Sequence, residues 1–234
     1  MTPHTCTRGA VRPSGVPRPI ATLLQSIHDW SGWRDDADRV DGERPMERRM
    51  AEALPLDGSP RAEGRIARAM ANYALRVAAP EALESAALIM DRAGHRGHGE
   101  TLRRHAARLR AAPDAALARY IAGTDTVVAR YDVAARYDAA VSDFVRYAAA
   151  AERDARYAAT VVGGAARDDI TAAAGALRYA ADGVRDDNDI NSARYAAAVG
   201  DITAAASGAA RRATYIRHAT ALLDVALAAA RRAP

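Results

Sequence analysis

The chain has 234 residues, enough for one or two domains with a genuine core, and half of them are hydrophobic. About sixty are alanine, Phe144 is the sole phenylalanine, and Trp30 and Trp33 are the only tryptophans, which favours closely packed helices over a thick aromatic core and leaves sheet without its usual formers. The net charge of +4 is short of a histone-like tail, and a single cysteine, Cys6, excludes an intramolecular disulfide or a cysteine-rich metal centre.

All 33 basic residues are arginine. A GC-rich genome accounts for the missing lysine, and so does selection against lysine modification in a protein delivered into a host cell with ubiquitin machinery. Residues 1–113 carry eighteen arginines against fourteen acids, and residues 114–234 carry fifteen of each. Polyanion-binding character is therefore expected in the first half. No stretch has the roughly eighteen uncharged apolar residues of a membrane span. The first twenty residues lack the apolar segment of a secretory signal. A soluble protein of a reducing compartment such as the cytoplasm is expected.

In chain order, residues 1–18 are rich in Pro, Thr, Gly and Arg and read as a disordered arm. A short helix is expected from Ile20 to Trp30, broken at Ser31-Gly32, followed by an acidic irregular stretch over 34–44. Pro45 is expected to open a helix through Met46 and Met50. Ser59 reads as an N-cap with Pro60 in the first turn. Ile66, Met70, Tyr73 and Val77 then form an apolar face, and Pro80 is expected to start another helix with Leu83, Ala87 and Met90 inward. Gly94, Gly97 and Gly99 mark a turn before a basic helix, Glu100 to Ala111. Residues 19–112 thus read as a cluster of short helices.

From Pro113 onward, residues 113–234 read as a long alanine-rich helical hairpin or coiled coil. Tyr195, Val199, Ile202, Ala206, Ala209, Ala213, Ile216, Thr220, Leu223, Leu227 and Ala230 alternate in steps of four and three, the repeat of a left-handed coiled-coil seam. A helix over 189–232 would be about 65 Å long. A similar track runs from Ala134 through Tyr137, Val141, Phe144, Ala148, Ala151, Ala155 and Ala158 to Val162. Gly163-Gly164 interrupts it, and Ala166, Ile170, Ala173, Leu177, Ala180 and Val184 resume it. The run after Gly183 predicts a turn and a new N-cap at Asn188 or Asp189. The expected class is all-α, a short-helix cluster followed by a hairpin or coiled-coil-like bundle. Its seam would pair within the chain, with a second copy, or with a helical partner.

Two groups carry candidate chemistry. His95, His98, Glu100 and His105 fall within eleven residues and have metal-ligand side chains, yet they lack the His-Glu-x-x-His spacing, and arginines among them repel a cation. Arg92, Arg96, Arg103, Arg104, Arg108 and Arg110 make the same window the most basic in the chain, suited to phosphate contacts without base reading. Trp30 and Trp33 are expected to plug the front core, with a partner hot spot as the other reading. The recurring Arg-Tyr pairs, including Arg156-Tyr157, read as drift in a helical sequence. No catalytic, phosphate-loop or dinucleotide signature appears, and no cofactor is expected. The leading expectation is a non-enzymatic structural or interaction protein that self-associates or binds a partner. The other is a nucleic-acid or polyanion-binding protein using the arginine-rich first half.

Overall fold

Propensity and capping decide where each helix begins. The computed structural model describes residues 15–111, 148–185, 189–206 and 210–231, and among these residues there are helices and turns and no strand. Helix α1 spans Arg18–His28. Its first amide, at Arg18, donates to Glu63 Oε1 at 2.9 Å, and the Arg18 Nε donates to Oε2 at 3.1 Å. A buried carboxylate thus satisfies an orphan donor at the positive end of the helix dipole. Val16, just before the helix, is buried, so the ordered fold begins inside the arm expected over 1–18. The rest of that arm lies outside the described residues.

Helix α2 spans Asp36–Ala53, which corrects two expectations. The acidic stretch is helical, and Pro45 sits within the helix instead of opening it. The reason is local. Asp35 caps the helix by accepting from the Asp38 amide at 2.8 Å, acids occupy the first turn where the dipole favours them, and Arg39 pairs with both Asp36 and Glu43 one turn away. Helix α3, Pro60–Tyr73, starts as expected, with Ser59 Oγ accepting from the Ala62 amide.

Pro80 does not begin a separate helix. Helix α3 runs through a π-helical turn, Ala74–Ala78, into α4, Ala79–Arg92. Proline has no amide hydrogen for the Arg76 carbonyl and its ring crowds that group. Widening the turn, with the Ala79 amide donating to the Ala74 carbonyl, accommodates the proline without a break. Helix α5, Arg96–Ala111, begins four residues ahead of the expected Glu100 and lies antiparallel to α4. At Gly99 the helices approach so closely that a Cβ would run into Asp91 Oδ1 and stand 3.0 Å from the Ala87 carbonyl. A side chain at this position would push Asp91 aside and press on the Ala87 carbonyl.

Helix α6 is described from 148 to 160, and the earlier part of its expected track, Ala134 to Phe144, lies outside the described residues. Ala148, Ala151, Ala155, Ala158 and Val162 are all buried. Gly164, at φ +59°, takes a left-handed conformation at the expected interruption, where a side chain would be strained. Helix α7, Gly164–Arg185, then buries Ile170, Ala173, Leu177 and Ala180. It runs antiparallel to α8, Asp189–Ala206, with Gly175 against Ile202 and Tyr179 beside Tyr195.

The single helix expected over 189–232 is instead two. Helix α8 ends at Ala206, and α9, Arg211–Ala230, packs back against it. The sequence between contains Ser207 and Gly208, weak helix formers. Breaking there lets α9 bury Tyr215, Leu222, Leu223, Ala226 and Leu227 against α3 and α2, gaining apolar contact that a solitary extension would forgo. Helix α9 runs antiparallel to α3, with Tyr73 at His218 and Arg65 at the Ala229 carbonyl. It runs parallel to α2, with Asp38 at Arg212 and Arg49 at Asp224.

Helix α8 occupies the centre. It touches α1, α3, the π-turn, α4, α7 and α9, and Ala193, Ala196, Val199, Thr203 and Ala204 are buried. Thr203 Oγ1 lies 2.7 Å from the Val199 carbonyl and 3.1 Å from the Ala78 carbonyl, which ties α8 to the π-turn. Buried residues from both sides of position 113 form one continuous core. The tryptophans join those sides. Trp30 stacks on Tyr215 of α9 with ring centroids 3.8 Å apart and donates to Asp201 of α8 at 2.6 Å, and Trp33 meets Trp30 edge-on. Among the described residues no helix is long and apolar enough to cross a membrane.

Candidate polyanion-binding surface

The window from Arg92 to Arg110 lies on the end of α4 and on α5. Helix α5 turns Gly99, Leu102, His105, Ala106 and Leu109 inward, so the remaining positions face outward at helical spacing. Its six candidate arginines divide into two groups.

Arg103 and Arg110 are held. Arg103 pairs with Asp91, and Arg110 with Glu84, both on α4. The Arg110 Nη2 donates to Glu84 Oε2 at 2.8 Å. The hydrogen bond from Arg110 holds the Glu84 carboxyl below its ordinary range, and the Arg110 guanidinium is pushed up in return. These two arginines tie α5 to α4.

Arg92, Arg96, Arg104 and Arg108 are exposed, and none has a carboxylate partner among the described residues. Arg104 donates only to the Thr101 hydroxyl, at 3.0 Å. Four guanidinium groups therefore face outward, with Glu100 the one acid interspersed on the outer face of α5.

The four candidate metal ligands do not converge. His105 is buried and pairs with Asp154 of α6 at 2.7 Å. His98 lies beside the Tyr157 ring, with centroids 5.5 Å apart, and His95 is 6.3 Å from His98 by the same measure. Glu100 is exposed. Among the described residues no three His, Cys, Asp or Glu side chains are grouped to hold a metal ion.

The contacts His98–Tyr157 and His105–Asp154 run in opposite chain directions, so α5 and α6 are antiparallel neighbours. This brings Arg153 and Tyr157 of α6, both exposed, to the same surface. Neither was singled out as functional in the sequence, although the Arg156-Tyr157 pair was visible there. The missing signal was the pairing of helices about fifty residues apart.

The seam residues fall differently. Val199, Ala206, Leu223 and Leu227 are buried in the chain's own core. Tyr195, Ile202 and Ile216 are half-buried, Ala213 is exposed, and Ala209 lies outside the described residues.

Elsewhere, a cleft of about 640 Å³ opens between α2 and the end of α9, lined by Arg44, Arg48, Arg49, Glu52, Asp224 and Arg231 among others. A polar chain built on the buried His218 connects α3, α4 and α9. Tyr73 hydrogen-bonds His218 Nδ1 at 2.9 Å, His218 Nε2 is 3.4 Å from Glu81, and Arg217 Nη1 donates to Glu81 at 3.1 Å. The His218 bond, followed by Arg217, pushes the Glu81 carboxyl down to about 2 against the opposing effect of burial. Burial pushes the Tyr73 hydroxyl up to about 12.

Compared with protein-family models, with curated proteins and with solved structures, the chain finds no match.

Proposed function

We propose that the protein is a non-enzymatic interaction module that binds a polyanionic partner through the outer face of α5. The observation that carries this reading is the division of the arginines. Arg103 and Arg110 are consumed by Asp91 and Glu84, while Arg92, Arg96, Arg104 and Arg108 present their charge to solvent. Arg96, Arg104 and Arg108 lie on α5 and Arg92 at the end of α4, and guanidinium groups so presented are suited to bidentate contacts with phosphate, sulfate or carboxylate groups. Binding of this kind weakens steeply as salt displaces the condensed counterions.

Self-association through the heptad seam is the weaker reading, because Val199, Ala206, Leu223 and Leu227 are already buried within one chain. A homo-oligomer or a helical partner would have to dock on outward positions instead.

Retention on a heparin column tests the proposal. The wild-type chain is expected to bind at low salt and elute on a salt gradient. Arg104→Ala with Arg108→Ala is expected to elute distinctly earlier, whereas Arg110→Ala, which removes a paired charge, shifts elution less. Equal shifts for the double and single variants, or no retention of the wild type at low salt, would sink the reading.

A further inference from the structure

The surface between α5 and α6 has a feature that charge alone does not use. Tyr157 is 61% exposed, the most exposed of the large apolar side chains among the described residues, and its ring is tilted against His98. On α6, Ala151, Ala155 and Ala158 face the core, and Asp154 turns toward His105 of α5. Helical spacing then puts Arg153 and Tyr157, one turn apart, on the outward flank nearest α5. Because the helices are antiparallel, with His98 at Tyr157 and His105 at Asp154, helical spacing puts Thr101, Arg104 and Arg108 on the outward flank of α5 nearest α6. Arg156 is paired with Glu152 at 2.8 Å and adds no net charge. Arg104, Arg108 and Arg153 have no carboxylate partner among the described residues.

We propose that this surface binds single-stranded nucleic acid, with Arg104, Arg108 and Arg153 contacting the phosphates and the Tyr157 ring, backed by His98, stacking a base. The proposal rests on the polyanion reading above and specifies the partner. A duplex keeps its base faces stacked on one another, so an exposed ring gains nothing from it. A single strand offers a π-face to the ring and a backbone to flanking cations, the combination used by sequence-tolerant single-strand binders. A sulfated sugar chain would engage the arginines and leave the ring idle.

Fluorescence anisotropy with a labelled oligothymidylate of about twelve nucleotides, competed by a duplex of equal length, tests this. The single strand is expected to bind more tightly than the duplex. Tyr157→Leu is expected to weaken single-strand binding by about five- to 150-fold while leaving heparin retention unchanged, and Tyr157→Phe is expected to retain binding. Arg153→Ala is expected to weaken single-strand binding and to steady it against salt. Circular dichroism of each variant confirms that it folds. Equal or tighter binding of the duplex, or unchanged affinity in Tyr157→Leu, overturns the single-strand assignment and leaves the polyanion reading standing if heparin retention still depends on Arg104 and Arg108. Loss of that dependence overturns both.

Discussion

At the scale of the residue, a small set of polar side chains around His218 satisfy one another where the fold closes over them. His218 is fully buried, and Tyr73 and Glu81 occupy its two ring nitrogens. The Glu81 carboxyl, pushed down to about 2, titrates below its ordinary value, so its contribution to stability is fully present above pH 4.5 and is lost as pH falls toward about 2. Glu81→Gln is expected to cost about 1–3 kcal/mol at neutral pH, since it weakens the bonds to His218 and Arg217. Urea titrations at neutral pH and near pH 2.5 check this. The gap between wild type and variant should narrow in acid, and a gap independent of pH would refute the assignment. At the alkaline end the sign reverses. Tyr73, raised to about 12, favours the fold while neutral, and that contribution is lost as pH rises through about 10 to 12.

At the scale of the element, caps and prolines explain both what the sequence made plain and what it hid. The Ser59-Pro60 start and the Gly163-Gly164 interruption were legible because each rests on a local rule, whereas the turn and N-cap expected at 186–188 lie outside the described residues. The continuity of α3 with α4 was not, because a π-turn is chosen by packing around Pro80 and leaves no mark in propensity. The acidic start of α2 was misread as irregular because charge was weighed without its pairing, although Arg39 stands at the right spacing for Asp36 and Glu43. The heptad steps from Tyr195 to Ala230 are real in the sequence, yet α8 and α9 pack back on each other and bury Val199, Ala206, Leu223 and Leu227 within one chain. Two substitutions separate a continuous seam from two packed helices. Leu223→Ala, at a fully buried position, is expected to cost about 2–5 kcal/mol. Ala213→Gln, at an exposed position of the same register, is expected to stay within about 0.5 kcal/mol. Thermal melts read both, and a large cost at Ala213 would restore the seam.

At the scale of the whole molecule, the helices before and after position 113 depend on one core. Trp30 and Trp33 contact Tyr215, and Trp30 also bonds Asp201, so the tryptophans report on the junction between early and late helices. Denaturant curves from tryptophan fluorescence and from far-ultraviolet circular dichroism are expected to coincide, as a single cooperative unit requires. Two separated transitions would show that the front helices fold apart from the rest. All-helical character was evident from alanine content, but the placement of α8 at the centre was not. A helix with neighbours on several sides shows no single apolar stripe, and in an alanine-rich chain that pattern resembles any other stretch.

The alanine lining of α8 bears on how this interior answers to change. Alanine has no rotamers, so burying it forfeits no side-chain freedom, and it has no alternative pose with which to fill a gap or yield to an intruding group. Interiors rich in leucine or methionine adapt by swinging side chains. At Ala193, Ala196 and Ala204 the helix itself offers no side chain that can swing, so a strain introduced there falls on the backbone of α8 and on the side chains of the helices that touch it.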